Sequence, residues 1–133
     1  MSINFETALG IHDNAITVRG YRAKLLSANL SNADTPGYKA KDIDFRSALK
    51  QANTTPWQGM TLSHQRHIRP TDDGLGLGGQ TQYRTLMQDT LDGNSVDEQV
   101  EQAQFMQNSI QYRASLEFLG GKFKSLTKSI KGE

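Results

Sequence analysis

Along the first quarter of the chain, Phe5, Leu9, His12, Ile16, Arg19, Ala23, Leu26, Leu30 and Ala33 recur at alternating steps of four and three. That is the a/d alternation of a heptad held over four repeats. Seven of the nine positions are apolar. The spacing predicts one helix over 4–33, roughly 45 Å long. Gly20 inside it costs about 1 kcal/mol relative to alanine, so the helix needs its stripe covered to be stable. A second helix is predicted from about 96 to 133. Ser95 followed three residues later by Glu98 reads as a capping box. Asp97, Glu98 and Glu101 lead this helix, and Lys122, Lys124, Lys128 and Lys131 end it, each set complementing the helix dipole. Its apolar positions fall in two registers. Val96, Val100, Ala103, Ile110 and Ala114 form one, and Tyr112, Leu116, Leu119, Phe123, Leu126 and Ile130 form another, displaced around the helix. Gly120-Gly121 is expected to interrupt or kink it.

Between the helices the periodicity changes. Pro36 fixes φ for the second position of a tight turn and Gly37 can take the positive φ of the third. Thr35, preceding proline, is pushed out of the α region, so the first helix should stop by about Asp34. The turn motif is therefore Thr35, Pro36, Gly37 and Tyr38. Residues 39–56 read as a short extended-to-helical piece around Phe45 and Leu49, and 57–95 as short strands or irregular loops. The glycine-rich stretch 72–80 is expected to be the most mobile. The expected fold is mainly α, with long N- and C-terminal helices pairing as a coiled coil around a small irregular, β-containing middle. The expected divisions are 1–34, 35–95 and 96–133. Even paired, the two stripes leave apolar area uncovered, and such area marks an interaction surface. A helical hairpin that folds alone uses the same stripes.

Composition narrows the picture. The 133 residues suffice for one modest domain. The apolar fraction of 35% and the ten aromatic residues argue against a large autonomous core. Fifteen basic against fourteen acidic residues leave no electrostatic footprint for nucleic acid or an anionic membrane. There is no cysteine, which excludes disulfides, thiolate catalysis and Cys-ligated zinc. Residues 1–6 lack the basic and apolar regions of a cleavable signal peptide, and no apolar run nears the ~18 residues of a membrane span. Read plainly, that describes a soluble cytoplasmic protein, although export by a route that reads other signals stays open.

Candidate chemistry is thin. His64 and His67 lie three apart, but no carboxylate lies near them in sequence to complete a metal site. His12 reads as a packed histidine, and Arg19, on the same stripe, as reaching toward a partner carboxylate. The run 74–79 lacks the Gly-Lys-Ser/Thr ending of a phosphate loop. Placing Gly93 at the sixth position of a calcium loop puts Gln88 first and Gln99 twelfth, where carboxylates are needed. Asn29-Leu30-Ser31 and Asn53-Thr54-Thr55 match a glycosylation pattern by composition alone. No catalytic, cofactor-binding or metal residues are assigned, and no small-molecule substrate.

The stretch Asn29-Leu30-Ser31-Asn32-Ala33-Asp34-Thr35-Pro36-Gly37-Tyr38 resembles the N-terminal signature of the bacterial flagellar axial proteins of rod and hook. The continuation Lys39–Phe45 is similar to the proximal rod type, the FlgB family, as is Asp92–Asp97 with Glu101, Asn108 and Tyr112. The immediate Thr35-Pro36-Gly37-Tyr38 is unlike the related FlgC type, which tends to insert residues there. The resemblance covers both ends of the chain and carries almost no motif in the middle. It implies a structural subunit of the proximal rod, not an enzyme. It also implies passage unfolded through the flagellar type III export apparatus, and assembly in the periplasm through terminal helices in an inner coiled-coil layer. The implied partners are other rod subunits, the MS ring and the adaptor at the rod base. The expected subunit interface is Phe5, Leu9, Ile16, Leu26, Asn29, Leu30, Asn32, Leu116, Leu119, Phe123 and Leu126, with the terminal helices partly disordered in an isolated subunit. A cytoplasmic coiled-coil adaptor or export chaperone would use the same stripes without polymerising.

Overall fold

The computed structural model describes residues 9–54, 64, 81–85 and 90–132. Over these residues the chain is mainly helical, with one small antiparallel sheet. The elements run α1 (Ile11–Ser31), β1 (Lys41–Ile43), α2 (Phe45–Thr54), β2 (Thr81–Tyr83) and α3 (Glu98–Lys131).

Helix α1 is shorter than the stripe predicts. Gly10 stands at φ 61 and ψ −141, a left-handed conformation that cannot continue a right-handed helix and that glycine adopts without steric cost. Leu9, before it, is helical, so the heptad pattern runs on through a break in the backbone. Gly20, by contrast, lies inside α1 without interrupting it. At the other end Asn32 closes the helix, its backbone amide donating to the Asn29 carbonyl and the next amide, of Ala33, to the Leu30 carbonyl. The tight turn follows as predicted: Tyr38 N donates to Thr35 O at 3.3 Å and Gly37 sits at φ 72.

Helix α3 differs from expectation at its start and in its middle. Its N-cap is Asp97, whose carboxylate accepts from Gln99 N and Val100 N. Ser95 is not the cap, because its hydroxyl is engaged by Ala40 N at 2.7 Å. Gly120 and Gly121 lie within an unbroken helix that runs to Lys131, since the remaining i to i−4 hydrogen bonds outlast two helical glycines. Gly132, at φ 74, ends it.

Helices α1 and α3 pack antiparallel. Asn29 meets Glu101, Arg22 meets Gln104, Arg19 meets Gln111, and His12 stacks on Phe118 with centroids 5.7 Å apart. On another face of α1, β1 pairs with β2 in the register Lys41↔Tyr83, Asp42↔Gln82, Ile43↔Thr81. The small core there is Val18, Ile43 and Ala48, flanked by Tyr21, Leu25 and Phe45. The expected mobile stretch 72–80 and His67 lie outside the described residues; His64 is exposed.

Candidate assembly site

The exit from α1 is held by two buried asparagines. Asn29 is fully buried and uses its whole side-chain amide within the chain. Its Nδ2 donates to Lys41 O and Glu101 Oε2, and its Oδ1 accepts from Lys41 N and the Tyr38 hydroxyl. Both donors and both acceptor sites are thus filled. The amide treats Lys41 as a neighbouring strand would, which docks the extended segment onto α1 and α3. Asn94, also buried, does the same for the turn. Its Nδ2 donates to Asn32 O at 3.1 Å, Ala33 O at 2.6 Å and Thr35 O at 3.0 Å, while its Oδ1 accepts from Val96 N at 2.8 Å. Asn32 O and Thr35 O already accept from the Thr35 and Tyr38 amides, so the Asn94 side chain gives each a second donor and serves Ala33 O at the helix end. Gly37 N to Asp92 O and Ser95 N to Tyr38 O complete the joint. Gly93, at φ 69, lies close to Gly37, a Cβ built on it coming 3.8 Å from the Gly37 Cα.

Between α1 and α3 the contact is polar. Glu101, Asn108 and Ser115 are the buried residues of α3, with Gln104 and Gln111 half-buried between them, a heptad spacing carried by polar residues. Four charges alternate here. Arg22 grips Asp42 through Nε at 2.9 Å and Nη2 at 2.8 Å, Arg84 reaches Asp42 at 2.7 Å, and Arg84 also pairs with buried Glu101. Burial acts to raise the Asp42 pKa, but the hydrogen bonds from Arg22 and Arg84 outweigh it and hold the carboxyl below its ordinary value. The same hydrogen bond raises Arg22. Arg19 behaves differently. It turns inward, 3.9 Å over the Phe45 ring and onto Gln111, with no carboxylate partner among the described residues. Burial, then the Arg22 cation, lowers its pKa.

With the seam polar, large apolar side chains are left outside. Phe105, Met106, Ile110, Leu116, Phe118, Phe123 and Ile130 on α3 are exposed. Beside the seam a shallow groove of about 150 Å³ opens between Gly20 and Ala23 of α1 and Phe105, Asn108, Ser109 and Tyr112 of α3. Among the described residues no His, Asp or Glu cluster is arranged for a metal ion, and no helix is long and apolar enough to cross a membrane.

No family model matches the chain. Curated relatives do. A flagellar basal body rod protein FlgB of Aeromonas hydrophila is 46% identical over 134 residues, covering 100% of this chain and 99% of the relative. The chain belongs to the FlgB family of flagellar basal body rod proteins. Other FlgB proteins match over nearly the same span. The one from Escherichia coli K12 is 40% identical over 91% of both chains, and one from Cereibacter sphaeroides is 37% identical over 97% of this chain and 98% of its own.

Within this FlgB-family chain the residues singled out for an interface divide into three groups. Leu26 and Asn29 are buried, and Leu9, Ile16, Leu30, Asn32, Leu119 and Leu126 are half-buried. Leu116 and Phe123 are exposed. Phe5 lies outside the described residues. Of the turn motif, Thr35, Pro36 and Gly37 are exposed, and Tyr38 is tied to Asn29. Asn94, Arg22, Asp42 and Arg84 carry the joint and seam but have no apolar periodicity to betray them. Asn94 had one local signal, the Asp92-Gly93-Asn94 turn.

Proposed function

We propose that the protein is a structural subunit of the proximal flagellar rod that polymerises through its two long helices, forming part of the shaft that transmits motor torque. The observation that carries this reading is the inverted helix pair: polar residues meet inside the chain while large apolar ones, Met106, Ile110 and Phe123 among them, face outward. Full-length similarity to FlgB rod proteins supports the same reading. Exposed apolar rows at heptad spacing are what a helix offers to further helices. The chain supplies the joint and the seam; neighbours supply the cover. In this proposal residues 1–34 and 96–133 belong to the helical, coiled-coil layer and 35–95 to the segment that leaves it. Leu9, Ile16, Leu30, Leu116, Leu119, Phe123 and Leu126 meet other subunits, whereas Leu26, Asn29 and Asn32 act by holding their own chain in shape. Other rod subunits, the MS ring, the rod-base adaptor and the export apparatus are the proposed partners, with the periplasmic rod as the site of assembly.

The test is Leu116→Asp combined with Phe123→Asp. Both side chains are exposed, so the isolated subunit should keep its helix content and melting temperature, while motility and recovery in purified basal bodies are lost. Normal motility in the double variant refutes the proposal. Recovery of the wild-type chain in the cytosol, bound to partner helices and missing from basal bodies, would favour the adaptor or chaperone reading.

A further inference from the structure

Past the His12 stack on Phe118, α3 outruns its partner. Helix α1 begins at Ile11, whereas α3 continues from Phe118 to Lys131, about 20 Å further along its axis. Charge on this overhang is one-sided. Between Glu117 and Glu133 stand four lysines and no acidic residue, a footprint that the near-balance of the whole chain hides. Lys122, Lys124, Lys128 and Lys131 are all exposed, and none pairs with a carboxylate among the described residues. The helix dipole accounts for Lys128 and Lys131, which lie in the last turn. It does not account for Lys122 and Lys124, because its effect falls off within that turn.

The same stretch is amphipathic. Leu116, Leu119, Phe123, Leu126 and Ile130 recur at steps of three and four and share one stripe. Leu116 and Phe123 are each 44% exposed, and Ile130 is 86% exposed. At about 100° per residue, Lys122 falls on one side of the stripe and Lys124, Lys128 and Lys131 on the other. An apolar strip bordered by lysines fits a lipid surface with anionic headgroups. The apolar side chains and lysine stems enter the acyl boundary, while the ammonium groups stay with the phosphates. A nucleic-acid backbone offers the charge without an apolar layer to cover the stripe.

We infer that residues 116–131 bind an anionic membrane surface, lying along it as an interfacial helix. None of the described helices is long and apolar enough to span a membrane. This goes beyond the rod reading and does not depend on it, since it concerns the subunit before neighbours cover the stripe.

The test sediments the purified full-length chain with vesicles of phosphatidylcholine and phosphatidylglycerol, and with vesicles of phosphatidylcholine alone. Binding to the first and not to the second is expected, weakening as salt rises. Lys122→Gln combined with Lys124→Gln should keep the wild-type melting temperature, since both side chains are exposed, and should bind about thirtyfold more weakly, at about fivefold per lysine. Ile130→Ser should also weaken binding, because part of the affinity comes from the apolar stripe. Polyglutamate in solution serves as a competitor with charge alone. No binding to the anionic vesicles, equal binding to both kinds, or wild-type affinity in the double lysine variant overturns the inference. So does wild-type vesicle binding by Ile130→Ser together with full displacement by polyglutamate, which would make an acidic protein surface the ligand. Each of these results leaves the rod assignment standing, because recovery in basal bodies tests that separately.

Discussion

Replacing Asn94 by alanine removes a side chain that touches no charged group, yet its cost should rival loss of a buried ion pair. The amide hydrogens of Asn94 serve three carbonyls, Asn32 O, Ala33 O and Thr35 O, and its oxygen serves Val96 N. Two donor hydrogens and one acceptor contact are lost, at about 1 kcal/mol net each. The residue is 2% exposed, so water does not fully replace them, and the sum is about 3 kcal/mol. Against the ~5–15 kcal/mol that holds a typical domain folded, that is a severe loss from one amide. Asn94→Asp separates hydrogen bonding from packing. Its shape is nearly unchanged and it still accepts from Val96 N, but it aims a carboxylate at three carbonyl oxygens. It should destabilise by at least as much as alanine. Urea unfolding followed by far-ultraviolet circular dichroism measures both, and a common slope licenses the comparison. If Asn94→Asp unfolds at the wild-type midpoint, the amide hydrogens are not what holds the turn to α3.

Glu101→Ala should cost about 3–5 kcal/mol because it leaves Arg84 and the Asn29 amide without their buried partner. Adding Arg84→Ala should cost less than the sum of the two, and additive midpoints would refute the coupling. The Asp42 carboxyl, held low by Arg22 and Arg84 against its own burial, contributes stability that is present above its unfolded pKa and is lost as pH falls through the folded one. Unfolding midpoints from pH 7 to pH 2 should therefore decline less steeply in Asp42→Asn than in wild type; parallel curves would refute this. Gly37→Ala forces an L residue to φ 72 and should lower stability by about 1 kcal/mol, read from the same urea curves. The sequence alone led to partly disordered terminal helices in the isolated subunit; the buried side chains of Val18, Leu26 and Asn108 instead place the slowest amide exchange around them, and the fastest over the last turns of α3, where Ile130 is 86% exposed. Uniformly fast exchange through 15–29 would mean that α1 does not pair with α3 in the free chain.

How far the chain could be read from its residues depended on what kind of signal each element left. The C-terminal end of α1 and the Pro36-Gly37 turn rest on local rules, proline restricting its neighbour and glycine accepting positive φ, and these hold whatever packs nearby. That the long helices pair with each other followed from their being the two large elements; their antiparallel sense is seen only in the contacts that run from Asn29–Glu101 to His12–Phe118. The inner face of α3 did not emerge, because hydrophobic periodicity is the usual guide to burial and here Glu101, Asn108 and Ser115 are buried while Ile110 and Phe123 are not. The pattern was present at the right spacing with the opposite sign. Ser95 misled as a cap because a serine hydroxyl serves a strand amide as readily as a helix end, and only the position of Ala40 decides between them. Gly10 was passed over because an unbroken stripe of side chains does not report a break in the backbone beneath it.

The alternating charges of the seam have a consequence for alignment. Two apolar helices can slide past one another by a heptad and lose little, since one leucine replaces another. Sliding α3 along α1 would strand buried Glu101 away from Arg84 and from buried Asn29, and half-buried Arg22 away from Gln104, leaving each without its counterpart. The seam therefore works as a gauge: it admits one offset between the helices and rejects its neighbours. In any structure made by repeating a unit, an error in the unit accumulates with every copy. A subunit whose two ends are set to a fixed offset before it meets another carries no such error forward.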